Sequence, residues 1–394
     1  MSVRYEFDTP VNRRGSCSYK WDTPVSTDIL PMWVADMDFL VAPAIDDALR
    51  RRVDQGIFGY TKVPDEYYAS LIDWFGMQHG FKIKRHEVIY TSGVVPAISA
   101  IIKALCKPGD KVITQTPAFN CFFSSIRNNG CILAANQMIR DNRGHYSIDF
   151  DNLEELASDP RATLLIFCNP HNPSGRVWSR NEITRVAEIC RKYNVTVVSD
   201  EIHCELTRPG IDYTPWAVAV DADTAHHSVV CVAPTKAFNI AGLQIANIIA
   251  PDDGVRAKID RAINDNEVCD VNPFGVVASI AAYRHGGDWL TQLRDYLDGN
   301  FRFLSDWMEQ HMPAFTVTPL QATYLAWIDC RATRLSSSEI AEILLDRGRI
   351  MISPGNIFGQ GGDGFIRLNF ACPRQVLADG LRRLEILNAL LPTP

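Results

Sequence analysis

The chain has 394 residues, of which 46% are hydrophobic and 22% are charged, and its formal net charge is −7. These proportions are ordinary for a folded globular protein and exclude a disordered or fibrous chain. No run of five or more lysines and arginines occurs, so no nucleic-acid partner is expected. No stretch approaches the roughly 18 consecutive apolar residues of a membrane helix, and the amino terminus lacks an apolar signal core.

The eleven cysteines are scattered singly along the chain, without a CxxC pair or a Cys/His cluster at metal-ligand spacing. An odd number of scattered cysteines favours reduced thiols and a cytoplasmic location. No metal site is predicted.

The predicted elements begin, in chain order, with a polar, proline-rich arm. Helical patterns follow over residues 43–56 and 64–79, and the first has proline at its start and glycine at its end. From residue 87 onward, strand patterns alternate with helical ones, including a helix over 179–193. The first predicted strand is short and ends near Tyr90. The other predicted strands cover residues 112–114, 131–134, 164–168, 195–199 and 229–233. This alternation predicts a mostly parallel sheet with helices on both faces.

The pattern changes beyond about residue 270. Longer amphipathic helices are predicted over 289–311, 336–346 and 373–391, with strands over 322–328 and 365–370. We therefore predict an arm at 1–45 that packs with the small domain, a large domain at 46–275, and a smaller α+β domain at 276–394.

One lysine, Lys236, stands between two apolar segments in the stretch 229–249, VVCVAPTKAFNIAGLQIANII. The first segment has the pattern of a buried strand, which places Lys236 just past a strand end. Burying an ammonium group there is costly. Either the stem lies on apolar surface while the amine reaches water, or the amine is functional, with a lowered pKa or a Schiff base to an aldehyde cofactor.

Other polar turns follow predicted strands at the sheet edge where open α/β folds bind ligands. Residues 92–95 (SGVV) open a helix and would suit a phosphate, although a plain strand-to-helix turn is the alternative. In residues 169–175 (NPHNPSG), Asn172 offers an amide, although turn chemistry alone explains this segment. In residues 200–203 (DEIH), Asp200 follows a buried strand, and a helix N-cap is its alternative role.

A pyridoxal-type cofactor needs a lysine for its carbonyl, a carboxylate for its ring nitrogen, hydrogen-bond partners for its ring hydroxyl, and an anion site for its phosphate. The carboxylate keeps the ring nitrogen protonated, so that the ring accepts electrons when an α-proton leaves. The chain offers one candidate for each role. We therefore predict pyridoxal 5'-phosphate as the cofactor.

The motifs NPHNPSG, DEIH and APTKAFNIAGLQ together resemble those of fold type I pyridoxal-phosphate enzymes, the aspartate aminotransferase-like superfamily. With KWD, ADMDF, GIFGY and SGVV, the chain is similar to the cystathionine β-lyase branch of carbon–sulfur lyases. The resemblance spans residues 20–374. It implies an α/β large domain, with a mostly parallel sheet between helices, plus a smaller α+β domain.

The resemblance implies a role for each candidate residue. Lys236 would hold the cofactor as a Schiff base and move the α-proton, while Asp200 would pair with the ring nitrogen. Arg367, in GFIRLNF, would clamp the substrate carboxylate. Tyr60 would reach the phosphate of a neighbouring subunit's cofactor, which implies a homodimer with shared sites, and Tyr60 and Tyr324 could assist the leaving group. The other implied cofactor contacts are Gly93, Val94, Val95, Phe119, Asn172, His203 and Thr235.

The chain departs from related patterns at three positions. Phe119 replaces the Tyr or Trp that stacks on the cofactor in many relatives, which keeps stacking but removes a hydroxyl. His203 and Gln244 stand where aminotransferases of this fold carry Tyr and Arg. Both differences point away from aminotransferases.

The activity that the resemblance implies is α,β-elimination of L-cystathionine or another cysteine S-conjugate. The products would be a thiol such as homocysteine, pyruvate and ammonia. An aminotransferase is the first alternative, since both reactions begin by removing the α-proton, and a need for a keto acid separates them. A regulatory protein that retains the fold and binds partners without turnover is the second.

Overall fold

The computed structural model describes residues 3–265 and 270–392, and the elements below belong to that part of the chain. The strands are Leu30–Pro31 (β1), Val88–Thr91 (β2), Lys111–Thr116 (β3), Ile132–Gln137 (β4), Ile139–Arg140 (β5), Tyr146–Ser147 (β6), Ala162–Cys168 (β7), Thr196–Asp200 (β8), Val229–Val232 (β9), Ala246–Ile249 (β10), Thr316–Val317 (β11), Leu325–Asp329 (β12), Ile350–Met351 (β13), Ser353–Pro354 (β14) and Phe365–Asn369 (β15).

The α-helices are Pro43–Asp54 (α1), Asp65–His79 (α2), Val94–Leu105 (α3), Asn120–Asn128 (α4), Phe150–Ala157 (α5), Arg180–Lys192 (α6), Trp216–Ala219 (α7), Ala222–His226 (α8), Asp253–Asn264 (α9), Pro273–His285 (α10), Gly287–His311 (α11), Ser337–Asp346 (α12) and Arg374–Leu384 (α13). None of these helices is both long enough and apolar enough to cross a bilayer.

The largest sheet has seven strands in the order β2-β10-β9-β8-β7-β3-β4. All neighbours pair in parallel except β10, which runs antiparallel to both β2 and β9. The crossovers between the parallel strands carry helices, as such connections require. The predicted mostly parallel sheet is confirmed.

Helices cover both faces of this sheet, and the strands are apolar on both sides. Along β7, Leu164 and Ile166 pack into one apolar cluster, whereas Leu165 and Phe167 pack into another. Successive side chains of a strand point to opposite faces, so a strand buried on both sides reads as a continuous apolar run. The α/β fold class is therefore confirmed.

A second sheet of four antiparallel strands has the order β11-β12-β15-β14. The arm reaches this part of the chain, because β1 pairs in parallel with β13. The division of the chain at residues 45 and 275 remains a prediction, and the second boundary falls within α10.

Local signals placed most helix ends correctly. Pro43 is the first residue of α1, and Gly56 lies just past its end with φ of 67°. Gly80 ends α2 in the left-handed region, where glycine lacks the steric penalty of a side chain. In α6, Ser179 and Glu182 form a reciprocal capping box.

Several predicted elements differ from the structure at their ends, such as the strand predicted over 131–134, which is Ile132–Gln137; two of the differences concern the smaller, later part of the chain. The strand predicted over 322–328 is β12, which begins only at Leu325, because Thr323 has a left-handed backbone with φ of 76° that interrupts extended structure. The helix predicted over 373–391 ends as α-helix at Leu384 and continues as a 3₁₀ segment from Glu385 to Leu390.

Candidate active site

A cavity of about 220 Å³ lies where the parallel strands of the main sheet end. Its walls come from turns that follow β2, β3, β7, β8 and β9, so distant parts of the sequence meet at one sheet edge, as in other open α/β folds. Nine of the ten predicted cofactor-binding residues line it: Gly93, Val94, Val95, Phe119, Asn172, Asp200, His203, Thr235 and Lys236.

Lys236 lines the cavity and lies four residues after the last residue of β9 in the sequence. Its Nζ donates a hydrogen bond to the carbonyl oxygen of Ala35 at 2.7 Å. Burial, followed by the positive charge of Arg367, lowers the pKa of Lys236 to about 8. A substantial fraction of this amine is therefore neutral near physiological pH, which is what a nucleophile or a proton acceptor requires.

Asp200 is the last residue of β8 and is only 4% exposed. Its Oδ1 accepts a hydrogen bond from the backbone N–H of Ile202 at 3.1 Å within a turn, and no helix begins there, so the N-cap role does not apply. Burial raises the pKa of Asp200 to about 7. A cation beside this carboxyl group would stabilise its ionised form.

His203 is buried beside the cavity, and its Nδ1 has no hydrogen-bond partner among the described residues. Burial, together with the positive charges of Lys236 and Arg367, lowers the pKa of His203 to about 3. The imidazole is therefore neutral at physiological pH. Its ring lies 6.5 Å from that of Tyr324 in an edge-to-face arrangement.

Arg367 lies on β15 and is 5% exposed. It donates to Asn172 Oδ1 and to the carbonyl of Trp33, each at 3.1 Å, and its guanidinium lies over the ring of Phe358. Burial lowers the pKa of Arg367 to about 10, and its Nε has no partner in the described part of the chain. A buried guanidinium bonded only to neutral groups has donors available for a carboxylate.

The start of α3 forms another wall of the cavity. Gly93 precedes the helix, and a Cβ built on it would lie 3.3 Å from Pro96 Cδ, so a side chain there would crowd the helix entrance. The first N–H groups of a helix have no partners within it and attract anions. Together with Ser92 and Thr235, this helix start can hold a phosphate.

The sequence interpretation did not assign a role to the arm segment 33–39. Besides Lys236, Tyr324 also donates to the Ala35 carbonyl, at 2.9 Å. Asn239 fixes the segment through hydrogen bonds with the backbone of Met37 and Phe39 at 2.9–3.0 Å. The motif ADMDF lies in this segment, but its backbone contacts depend on tertiary packing.

Tyr60, the tenth predicted cofactor contact, is not part of this cavity. Its side chain is 97% exposed, and the stretch around it contains two further exposed apolar residues, Ile57 and Phe58. Arg367 and Tyr324 are absent from the cavity wall itself but contact it through Asn172 and Ala35.

Residues 27–384 match the family described as aminotransferase class I and II. The chain belongs to this family. It is 42% identical to a protein named cystathionine beta-lyase PatB from Bacillus subtilis (strain 168), over 96% of this chain and 98% of that protein.

Two solved structures have the same fold over nearly the whole chain. A pyridoxal-phosphate-bound putative aminotransferase from Clostridium difficile 630 gives a TM-score of 0.95 at 38% identity and covers 98% of this chain and 100% of that one. A pyridoxal-phosphate-bound C-S lyase from Staphylococcus hominis gives 0.91 at 31% identity, with 98% of each chain covered.

Proposed function

We propose that this chain is a pyridoxal-phosphate-dependent carbon–sulfur β-lyase, which cleaves L-cystathionine or a related cysteine S-conjugate to a thiol, pyruvate and ammonia. The observation that carries the cofactor part of the proposal is the pairing, in one cavity, of the buried amine of Lys236 with the buried carboxyl group of Asp200. The 42% identical relative named as a cystathionine beta-lyase supports the lyase over other members of the family.

The residues of the cavity fit pyridoxal phosphate. Asp200 is a buried acid that a protonated ring nitrogen would keep ionised, and His203 has an unpartnered ring nitrogen available to polar groups. The uncrowded start of α3 offers backbone donors to the phosphate. Phe119 lines the same cavity and supplies an aromatic face for stacking.

Bound pyridoxal phosphate supplies an electron sink that makes the α-proton of an amino acid removable. Lys236 would hold the cofactor and then take the α-proton, because its pKa of about 8 leaves a part of the amine neutral near physiological pH. Asp200 keeps the ring nitrogen protonated and thus keeps the sink effective.

Arg367 and Asn172 position the substrate. The free Nε and neighbouring N–H groups of Arg367 bind the α-carboxylate, while the hydrogen bond between the two side chains fixes the guanidinium. This orientation would hold the α-proton near Lys236 Nζ, whose position is fixed by its hydrogen bond to the Ala35 carbonyl.

Tyr324 is a candidate to protonate the departing sulfur. Burial raises the pKa of its phenol above the ordinary range, so the hydroxyl keeps its proton throughout the physiological range. Its hydrogen bond to Ala35 places the hydroxyl beside the same carbonyl that holds Lys236. Tyr60 is the second candidate, if it is supplied by a neighbouring subunit.

A homodimer with shared sites is part of the proposal. The exposed fractions of Ile57, Phe58 and Tyr60 are 75%, 57% and 97%, which leaves a contiguous apolar stretch uncovered on the single chain. A second copy that covered this stretch would bring Tyr60 to the neighbouring cofactor. A cytoplasmic location is also proposed, and the ten described cysteines, all free thiols, agree with it.

The aminotransferase alternative receives support from the name of the Clostridium difficile structure. Both activities use the same groups up to removal of the α-proton, so the cavity alone does not separate them. The regulatory alternative, with binding partners and no turnover, would require a biological effect that survives loss of Lys236.

The test is the release of pyruvate and free thiol from L-cystathionine by purified protein loaded with pyridoxal phosphate, without a keto acid. Equal amounts of both products are expected. A protein that forms neither product, but transfers the amino group when a keto acid is added, would be an aminotransferase.

A further inference from the structure

Two cysteines outside the active site lie on neighbouring segments at the opposite edge of the main sheet. Cys106 directly follows α3 and Cys131 directly precedes β4, and Cys131 Sγ donates to the carbonyl of Asn129 at 3.7 Å. Cys131 Sγ also donates to the carbonyl of Lys107, which follows Cys106, at 3.6 Å. The hydroxyl of Thr163 donates to Cys106 Sγ at 3.3 Å, so both thiols are held in place.

The backbone on either side of the pair is also fixed. The N–H of Gly109 donates to the carbonyl of Gly130 at 2.9 Å, and the N–H of Ile132 donates to the carbonyl of Asp110 at 2.8 Å. A disulfide requires Cβ atoms about 3.5–4.5 Å apart and suitably directed. Because the Cys131 sulfur already contacts the residue next to Cys106, on segments bonded to each other, rotation of the two side chains brings the sulfurs together with little backbone movement.

We infer that Cys106 and Cys131 form a redox-active dithiol, which closes to an intramolecular disulfide in the presence of a low-molecular-weight disulfide such as oxidised glutathione. One cysteine thiolate attacks the glutathione disulfide and releases one glutathione. The second cysteine then attacks the mixed disulfide and releases the other. The protein loses two protons and two electrons, and the oxidant becomes two thiols.

The surroundings of the pair set the rate of closure. Burial raises the pKa of both thiols, to about 12 for Cys106, so little thiolate is present at neutral pH. Because the thiolate is the attacking species, closure should accelerate about tenfold per pH unit between pH 7 and 9.

The disulfide should stabilise the fold without changing turnover. The start of α3 lines the cavity, and the 12 residues of that helix separate it from Cys106 by about 18 Å. Cross-linking the ends of a loop of about 25 residues restricts the unfolded chain. The unfolding temperature should therefore rise by about 2–4 °C on oxidation.

The experiment incubates the cofactor-loaded protein with oxidised glutathione at pH 8.5, blocks remaining thiols by alkylation, and maps tryptic peptides by mass spectrometry. Trypsin releases the two cysteines on separate peptides, 104–111 and 128–140. A peptide pair joined through Cys106 and Cys131 is expected. Cys17, which is exposed in the arm, serves as an internal control for the oxidant and should carry glutathione.

The matched control is Cys106→Ser, in which the joined peptides and the rise in unfolding temperature should both be absent. Cys131→Ser provides the same control if the first variant folds poorly. The inference is overturned if, once Cys17 is fully converted, Cys106 and Cys131 are still free or each carry a separate glutathione. A disulfide that forms without any rise in unfolding temperature would overturn its stabilising role.

Discussion

At the scale of single residues, the cavity is unusual because it keeps several ionisable side chains away from water. The pKa of Lys236 falls to about 8 while that of Asp200 rises to about 7, and in both cases burial is the largest cause. Ionisable groups shifted in this way cluster at functional sites because catalysis needs groups that gain and lose protons near neutral pH.

Replacing Lys236 by Ala should lower pyruvate release by at least about a thousandfold, because the variant loses both the covalent anchor of the cofactor and the base. Borohydride reduction followed by peptide mapping should attach the cofactor at Lys236 in the wild type and at no lysine in the variant. Lys258→Ala, which changes an exposed lysine of α9, should leave both results unchanged. A fully active Lys236→Ala protein would rule out the proposed mechanism.

The buried carboxyl group of Asp200 should make the cofactor-free protein sensitive to pH. Because its pKa rises from 3.8 to about 7 on folding, the folded state holds its proton more tightly than the unfolded state. The stability it contributes is complete below about pH 4 and is lost as the pH rises through 7. Asp200→Asn should therefore be more stable than wild type at pH 8, by up to about 4 kcal/mol, and equal at pH 3.

Urea unfolding of both cofactor-free proteins between pH 3 and 8 measures this difference. Glu201, whose pKa burial also raises to about 7, titrates equally in the two proteins and cancels in the comparison. Asp306→Asn removes an exposed carboxylate of α11 that has no ion pair among the described residues, and it should leave the pH profile unchanged. A difference between wild type and Asp200→Asn that stays constant with pH would contradict the assignment.

At the scale of elements, the arm segment 33–39 joins the two halves of the site. Its carbonyl groups accept hydrogen bonds from Lys236 and Tyr324 at Ala35, and from Arg367 at Trp33. Asn369 adds two hydrogen bonds, to the carbonyls on either side of Ala35, each at 2.6 Å. The arm therefore fixes the side chains that we propose act on the substrate, although it contributes mainly backbone atoms.

Asn239→Ala should loosen this segment, because it removes three hydrogen bonds to the backbone of the arm. We expect pyruvate release to fall about tenfold, mainly in kcat, as Lys236 loses its fixed orientation. Asn239 has a left-handed backbone with φ of 56°, so the control must test that strain separately.

Asn194→Ala is a matched control, since Asn194 is exposed and has a nearly identical φ of 59°. It should change the unfolding temperature but leave kcat unchanged. Equal losses of kcat in both variants would assign the effect to backbone strain rather than to the hydrogen bonds with the arm.

At the scale of the whole molecule, the proposed dimer makes each active site depend on two chains. Lys236→Ala and Tyr60→Ala should each be poorly active alone. After the two are unfolded and refolded together, hybrid dimers contain one site that has both native residues. About a quarter of wild-type activity should then return, since half of the dimers are hybrids with one intact site of two.

Activity after mixing is compared with that of each variant refolded alone, and light scattering measures the mass of the assembly. Met77→Ala, which changes an apolar side chain that is 73% exposed on α2, should behave as wild type. A monomeric protein with full activity, or a failure of the mixed variants to recover any, would contradict the shared site.

Much of the fold was predictable because its signals are local in the chain. The strand patterns 164–168 and 229–233 correspond to β7 and β9. As predicted, α1 begins at Pro43 and α2 ends before Gly80. The start of β12 was not predictable. Thr323 has a left-handed backbone there, and threonine is not a residue type that indicates a turn. The nine predicted cofactor contacts that line the cavity each follow a predicted strand or open a predicted helix.

The sequence by itself determined the α/β class, nine residues of the cavity and the family resemblance, since periodicity and short motifs are written along the chain. Only the tertiary structure decided how burial shifts the pKa values of Lys236, Asp200 and His203. It also decided that the Ala35 carbonyl meets Lys236 across 201 positions of sequence, and that Cys131 contacts Lys107 beside Cys106. Desolvation and backbone contacts arise from neighbours distant in the chain, so no local pattern carries them.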